Sequence, residues 1–247
     1  MANPPFNQKD WRDKSELVDD ARWSGYDTPP TGNANYAWIL HMISKLSEHG
    51  TAGFVLANGS MSTATSGEGK IRQQIIDNDL VDCMIALPGQ LFYTTQIPVC
   101  LWFISRDKQA KSEASKESGF RNRQGETLFI DARNMGSMIS RIHKELTTED
   151  IAHISDTYHV WRSGTKGEAV YEDQAGYSKS ATLEEIKAND YVLTPGRYVG
   201  AAPLEDDGIP FETKMAELSQ TLYGQMEESE KLDAVIRKNL RVLGYGE

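Results

Sequence analysis

Residues 80–105, LVDCMIALPGQLFYTTQIPVCLWFIS, decide the fold of this chain. Two apolar runs, Leu80–Leu87 and Gln96–Ser105, are each long enough for a strand. The Pro-Gly segment between them predicts either a hairpin or a loop over the edge of a sheet. Continuous apolar residues, rather than alternating ones, are typical of strands that are covered on both faces. This stretch therefore predicts the buried sheet of an α/β protein.

Helical and strand-like segments alternate around this stretch, as an α/β fold requires. The predicted strands cover 53–57, 80–87, 96–105 and 127–131. The predicted helices cover 36–50, where Gly50 would end the helix, then 70–78, 137–146, 147–160, 182–189 and 210–243. Residues 106–126 are nearly free of apolar side chains and predict a solvated, mobile loop. Its Arg121 and Arg123 would either contact phosphate or simply face solvent.

A second informative stretch is Asn3-Pro4-Pro5-Phe6. An amino group conjugated with an aromatic base or a carbonyl is a poor nucleophile, because its lone pair is delocalised. The side-chain oxygen of Asn3 and the backbone carbonyl of Pro4 can accept its two N–H groups and localise that lone pair. Consecutive prolines keep these carbonyls out of helix and sheet, and Phe6 offers a face for a planar substrate. The stretch therefore predicts methyl transfer to an amino nitrogen, although a plain polyproline turn would look the same.

Composition narrows the class of protein further. The 247 residues carry a net charge of −10, which argues against a free-standing nucleic-acid binder and predicts that another chain makes most phosphate contacts. Cys83 and Cys100 lie in apolar runs and predict free thiols in a reducing cytoplasm rather than a disulfide. Their spacing and that of the five histidines match no metal site. The sequence has no stretch of transmembrane length and no signal-peptide pattern, so no membrane is expected.

Three longer strings carry a resemblance to a known family: FVLANGSM at 54–61, LPGQLFYTTQIPVCLWF at 87–103 and YVLTPGRYVG at 191–200. Together with Asn3–Phe6 they resemble the modification (M) subunits of type I restriction–modification systems, which are N6-adenine DNA methyltransferases. The resemblance covers nearly the whole chain. It implies the second half of a Rossmann-like, S-adenosylmethionine-dependent methyltransferase sheet, followed by a C-terminal helical region with a long helix.

The resemblance also implies roles for individual residues. Asn3 and Pro4 would hold the amino group of a flipped adenine, and Phe6 would stack on its ring, because the target atom is inaccessible until the base leaves the duplex. Phe92 or Tyr93 would form the second stacking face, unless these rings serve only as core or hinge packing. Asn3 would also touch part of the cofactor.

The chain is expected to divide into three parts. Residues 1–135 would form the substrate half of the catalytic domain, 136–207 a helical and loop extension, and 208–247 a long helix for subunit contact. The apolar stripe of that helix suits either a partner or the body of the chain itself.

The sequence departs from the family in one respect. The glycine-rich turn and acidic residue that would hold S-adenosylmethionine before the Asn3–Phe6 motif are not in it. This predicts that the chain is the C-terminal component of a split enzyme, which is active only together with a partner chain that binds the cofactor. The other expected partners are a DNA-specificity subunit and duplex DNA with a flipped adenine. Any restriction subunit would be a separate chain. Two alternatives are a catalytically inactive fragment that serves as a scaffold, and an amino-methyltransferase fragment that acts on RNA or on protein glutamine.

Overall fold

A computed structural model describes residues 1–163, 165–166, 169–202 and 210–245. The chain separates into two compact units, Met1–Pro203 and Leu204–Glu247. The strands are β1 Thr51–Ala57, β2 Val81–Ala86, β3 Val99–Ser105, β4 Glu126–Asp131, β5 Ser137–Met138, β6 Lys144–Glu145, β7 Thr165–Lys166, β8 Ala169–Val170 and β9 Ser178–Thr182. The helices are α1 Asn35–Lys45, α2 Glu68–Asp77, α3 Glu113–Glu117, α4 Thr148–Ser163, α5 Leu183–Ala188 and α6 Phe211–Val242.

The first unit is built on a five-stranded sheet in the order β1-β3-β2-β4-β9. Strand β3 is antiparallel to both of its neighbours, β2 is parallel to β4, and β9 is antiparallel to β4. Strands β1, β2 and β4 therefore run in the same direction, and their carboxyl ends lie at one edge of the sheet. Ligands of open α/β sheets bind outside such an edge.

Apolar side chains cover both faces of the sheet. All six residues of β2 are buried, and its five apolar side chains are divided between two separate hydrophobic clusters on the two faces of the sheet. On one face, Trp102 of β3 stacks on Phe54 of β1 with a centroid distance of 6.1 Å. On the other face, Trp161 of α4 is fully buried against the apolar cluster. The prediction of an α/β protein is confirmed.

The predicted helix at 137–146 is wrong. Strands β5 and β6 pair as an antiparallel hairpin in its place. Gly136, the residue before β5, has a left-handed φ of 80°, and the N–H of Lys144 donates to the carbonyl of Gln90 at 2.9 Å. This contact with a distant segment is not visible in the local pattern of apolar residues.

The prediction of a solvated loop over 106–126 is wrong at both ends of the segment, although most of 111–119 is exposed. The segment contains α3, and Asp107, Lys108 and Arg123 are buried. Arg123 donates to Asp82 at 3.1 Å with both side chains fully buried, so it is not placed to contact phosphate. Arg121 forms an ion pair with Glu126 at 2.7 Å. Charged residues here close one side of the core instead of forming a mobile surface.

The remaining differences concern the ends of predicted elements and the strands β7, β8 and β9, which were not predicted. Helix α1 ends at Lys45, before Gly50, and β3 begins at Val99 because 96–98 belong to the preceding loop. Strand β9 was not predicted, since its sequence, SKSAT, has no apolar alternation. The capping box at Thr182, in which its side chain accepts from Glu185 N–H and Glu185 accepts from Thr182 N–H, confirms the predicted start of α5.

The second unit contains α6, a helix of 32 residues. Its large apolar side chains are exposed within this unit, including Phe211, Met215, Leu218, Leu222, Met226, Leu232, Val235, Ile236 and Leu240. They form the stripe that the sequence pattern indicates. Within the described residues, no helix has the length and apolar character needed to cross a membrane.

Candidate active site

The Asn3–Phe6 motif begins where the chain leaves the sheet. Ala2 pairs in parallel with Phe54 of β1: its N–H donates to the carbonyl of Gly53 at 3.0 Å, and the N–H of Val55 donates to its carbonyl at 3.2 Å. The motif thus lies at the sheet edge that holds the carboxyl ends of β1, β2 and β4. Pro4 is buried, while Asn3 is exposed. This leaves the Asn3 amide available to a ligand.

Two asparagines fix the chain immediately after the motif. Asn7 has a φ of 51°, a left-handed conformation that asparagine tolerates better than most residues. Its N–H donates to Oδ1 of Asn35 at 3.0 Å, and Nδ2 of Asn35 donates back to Oδ1 of Asn7 at 2.8 Å. Asn35 is buried at the first turn of α1. The motif is therefore tied to both β1 and α1.

The loop that joins β2 to β3 forms the second wall. It is closed at its base by two hydrogen bonds, from Leu87 N–H to the Val99 carbonyl at 2.9 Å and from Gln90 N–H to the Gln96 carbonyl at 3.2 Å. A Cβ atom at Gly89 would lie 2.7 Å from the Gln96 carbonyl oxygen, so only glycine fits this narrow neck. We call residues 91–95, beyond the neck, the projecting loop.

The structure brings two of the predicted stacking rings together. Phe6 and Phe92 meet edge to face, with centroids 5.9 Å apart and an interplanar angle of 83°. Both rings are half-buried against the apolar cluster of α4, so Phe92 also packs as a hinge residue would. Tyr93 is 91% exposed and stacks on His143 at 4.3 Å. The two candidate rings of the projecting loop therefore have different neighbours.

The chemistry available at this edge is hydrogen bonding and stacking. Asn3, Pro4 and Phe6 carry no titratable side chain. Burial raises the pKa of the Cys100 thiol to about 11 and raises that of Cys83 as well, so neither is a ready nucleophile. Asp131, at the end of β4, forms an ion pair with Arg133 at 2.6 Å, which raises the pKa of that guanidinium. Among the described residues, no three His, Cys, Asp or Glu side chains are grouped to hold a metal.

A groove of about 440 Å³ lies beside the outer edge of β1. Of the described residues, only Ala2 pairs with this edge. The groove is lined by Met1, Ala2, Asn3, Pro4, Trp38, His41, Met42, Lys45, Leu46, Thr51, Ala52 and Gly53. It follows the strand edge and extends away from the stacking rings.

Comparison with known proteins identifies the family to which the chain belongs. Residues 1–207 match the family described as N-6 DNA methylase. The chain belongs to this family. The match includes the Asn3–Phe6 motif, the sheet and the projecting loop, and it ends before α6.

Relatives within the family are methylase subunits of type I restriction enzymes. The chain is 54% identical to the HindI methylase subunit of Haemophilus influenzae over 99% of its own length and 51% of the relative. It is 44% identical to the MjaIX methylase subunit of Methanocaldococcus jannaschii over 99% of its length and 42% of the relative. The chain thus spans about half the length of these curated relatives.

A solved structure that resembles the chain is also a type I methyltransferase subunit, in agreement with the sequence relatives. The crystal structure of the type I restriction-modification system methyltransferase subunit from Streptococcus thermophilus superposes with a TM-score of 0.66 at 27% identity. The similarity covers 81% of the present chain and 37% of that structure.

Three residues of the candidate site were missed by sequence reasoning. Asn35 looks like an ordinary residue near a helix start, and only its buried contacts with Asn7 reveal its position behind the motif. Gly89 was noted as part of a turn, without the close approach of Gln96. His143 fell in the segment predicted as a helix, and no sequence signal connects it to Tyr93.

Proposed function

We propose that this chain supplies the substrate-binding half of an adenine-specific DNA methyltransferase of the type I class. The observation that carries the proposal is the placement of the Asn3–Phe6 motif beside Phe92, at the carboxyl edge of a sheet in an N-6 DNA methylase. Asn3 Oδ1 and the Pro4 carbonyl would accept the two N–H groups of a flipped adenine. Phe6 and Phe92 would pack on the base, with Tyr93 as the outer ring of the projecting loop.

The proposed step requires little beyond positioning. S-adenosylmethionine, when bound, supplies a methyl group on a sulfonium, which is already an activated donor. The two acceptors on Asn3 and Pro4 hold the amino nitrogen with its lone pair localised and aimed at that donor. A donor held in this position would supply its methyl group to the nitrogen bound by Asn3 and Pro4, with the sulfur–carbon bond broken as the nitrogen–carbon bond formed, and the surplus proton would then leave the nitrogen. We therefore assign no general base.

The cofactor would be held mainly by another polypeptide segment. Asn3 fits contact with the methyl-donor end, since its side chain is exposed at the end of the strand beside β1. The groove along β1 supports the docking of a further segment, because a strand edge and apolar walls are both accessible there. In the split arrangement that we propose, this segment belongs to a partner chain, and the complex works in the cytoplasm without a membrane.

The helix α6 would dock a DNA-specificity subunit. The apolar stripe, exposed over about nine turns, supports helix-to-helix contact with a partner. A net charge of −10 supports the placement of most phosphate contacts on that subunit. A restriction subunit, where one exists, would be a separate chain. The division into a substrate half at 1–135, an extension at 136–207 and a contact helix at 208–247 stays a proposal on the same grounds.

The test is adenine methylation by the complex assembled from this chain, the cofactor-binding chain and the specificity subunit. Replacement of Asn3 by alanine removes one acceptor and is expected to lower kcat by about 100-fold or more, while assembly is retained. Asn189→Ala is the control, because the Asn189 side chain donates to the Glu185 carbonyl of α5 at 2.9 Å and takes no part in the proposed site. An unchanged rate in Asn3→Ala would favour the scaffold function, for which α6 alone suffices.

Two further measurements separate the remaining alternatives. Methylation-sensitive sequencing of host DNA should show N6-methyladenine that disappears with Asn3→Ala; methylated RNA or glutamine without methylated DNA would contradict the proposal. This chain alone should not bind S-adenosylmethionine tightly, and tight binding would refute the split arrangement.

A further inference from the structure

The hairpin that replaces the predicted helix has an ordered tip. The N–H groups of Ile139 and Ser140 donate to the His143 carbonyl at 2.9 and 3.2 Å. Ser140 Oγ accepts from the N–H groups of Ile142 and His143 at 3.4 and 3.1 Å. Four hydrogen bonds within five residues hold Ile139–His143 in one turn. We call these five residues the hairpin tip.

The hairpin is attached directly to the projecting loop. Lys144 N–H bonds to the Gln90 carbonyl at 2.9 Å, next to the neck, and the His143 ring stacks on Tyr93 with an interplanar angle of 17°. On the other side, Gly136 N–H donates to Asp150 at the start of α4 at 3.1 Å. These contacts hold the hairpin tip beside the rings that would receive a flipped base.

The surface chemistry of the tip is unusual for so acidic a chain. Ile139 and Ile142 are 54% and 62% exposed. Arg141 is exposed and has no ion-pair partner among the described residues, and the half-buried Lys144, three residues later, donates from Nζ to the Met135 carbonyl at 3.3 Å. No Asp or Glu occurs between 137 and 144. Isolated apolar side chains flanked by cations are typical of wedges that enter a DNA duplex between base steps.

The size of the apolar tip favours DNA over a protein partner. A stable protein interface buries about 800 Å² on each side, with some 20–30 residues. The hairpin tip has five residues and two exposed isoleucines, too few for such an interface. A wedge, by contrast, needs only one or two apolar side chains, with cations placed for the neighbouring phosphates.

We propose that the hairpin tip inserts Ile139 or Ile142 into the duplex at the position vacated by the flipped adenine, while Arg141 contacts an adjacent phosphate. The inference rests on the proposed adenine methyltransferase function. The wedge stabilises the extrahelical base by filling the gap in the stack. It acts on the duplex and touches no reacting atom, so its residues are positioning residues.

The experiment uses the assembled complex and two duplexes that contain its recognition sequence. In one duplex the target adenine is paired with thymine; in the other it faces a mismatched base and is already easy to flip. Ile139→Ser combined with Ile142→Ser is expected to slow single-turnover methylation about tenfold on the paired duplex and less than about threefold on the mismatched one. Arg141→Gln should reduce the slope of log affinity against log salt concentration by about 1.

The matched control is Ile151→Ser, which replaces an isoleucine of similar exposure, 55%, on α4. It should leave both rates unchanged. Three results in the tip variants would overturn the wedge: equal slowing of methylation on the two duplexes, no slowing on either duplex, or loss of subunit assembly. Loss of assembly would show that the tip is a protein contact. If the wild-type complex methylates adenine and the tip variants match it, only the wedge fails. If the wild type does not methylate adenine, the proposed function fails first.

Discussion

Replacement of Asn35 by alanine tests whether the motif must be held from behind. The variant removes two hydrogen bonds to Asn7, of 3.0 and 2.8 Å, at a site that is only 1% exposed. Each such bond contributes about 1 kcal/mol net, so the free energy of unfolding should fall by about 2 kcal/mol. Since Asn7 follows the motif directly, its release also loosens Asn3 and Pro4. A displacement of about 1 Å at reacting groups costs up to about 100-fold in rate.

The assay is single-turnover methylation by the assembled complex, together with chemical denaturation. We expect kcat to fall by about 10- to 100-fold while the KM for DNA changes little, because the lost contacts position the reacting groups and do not bind the duplex. Asn35→Asp retains an acceptor for the Asn7 N–H and should show an intermediate rate. The control Asn189→Ala removes one bond of 2.9 Å far along the chain and should lose stability without loss of kcat. Equal kcat in Asn35→Ala and the wild type would refute the reasoning.

Three further predictions concern the loop, the core and the long helix. Gly89→Ala places a Cβ atom 2.7 Å from a backbone oxygen and should lower kcat about tenfold. The control Gly59→Ala, whose added Cβ atom would have no neighbour within 4 Å, should leave kcat unchanged, and equal rates in the two variants would show that the neck is adaptable. Arg123→Met leaves Asp82 buried without its ion-pair partner and should lower the free energy of unfolding, measured by chemical denaturation, by about 3–5 kcal/mol. A decrease below about 1 kcal/mol would contradict a stabilising role for this ion pair. Leu222→Asp, at a side chain 55% exposed in α6, should abolish co-elution with the specificity subunit, and retained co-elution would place the contact elsewhere.

The parts of the fold that sequence reasoning could predict are those with local signals. Strands β2 and β3 are continuous apolar runs, and the cap of α5 is a short-range contact between Thr182 and Glu185. The missed parts depend on distant partners. Strand β9 is polar and forms because it pairs with β4. The β5–β6 hairpin contacts a distant segment, through Lys144 N–H to the Gln90 carbonyl and through the stack of His143 on Tyr93. Arg123 reads as solvated until the fold places it against Asp82.

The same distinction applies to the candidate site. Asn3, Pro4 and Phe6 could be nominated because they are consecutive, and the structure brings Phe6 and Phe92 together. Their assigned roles stay predictions until the variants are measured. Asn35 and His143 could not be nominated, since each acts through a residue that is far away in the sequence.

The outer edge of β1 has a consequence for the life of the chain in the cell. A strand edge paired only at Ala2 among the described residues, next to an apolar groove, is a template for the edges of other strands and so for aggregation. A copy that lacks a covering segment would be removed by proteases or lost in aggregates, since the fraction of exposed chain sets turnover. Any segment that pairs with the outer edge of β1 would therefore protect the chain from aggregation in addition to filling the groove.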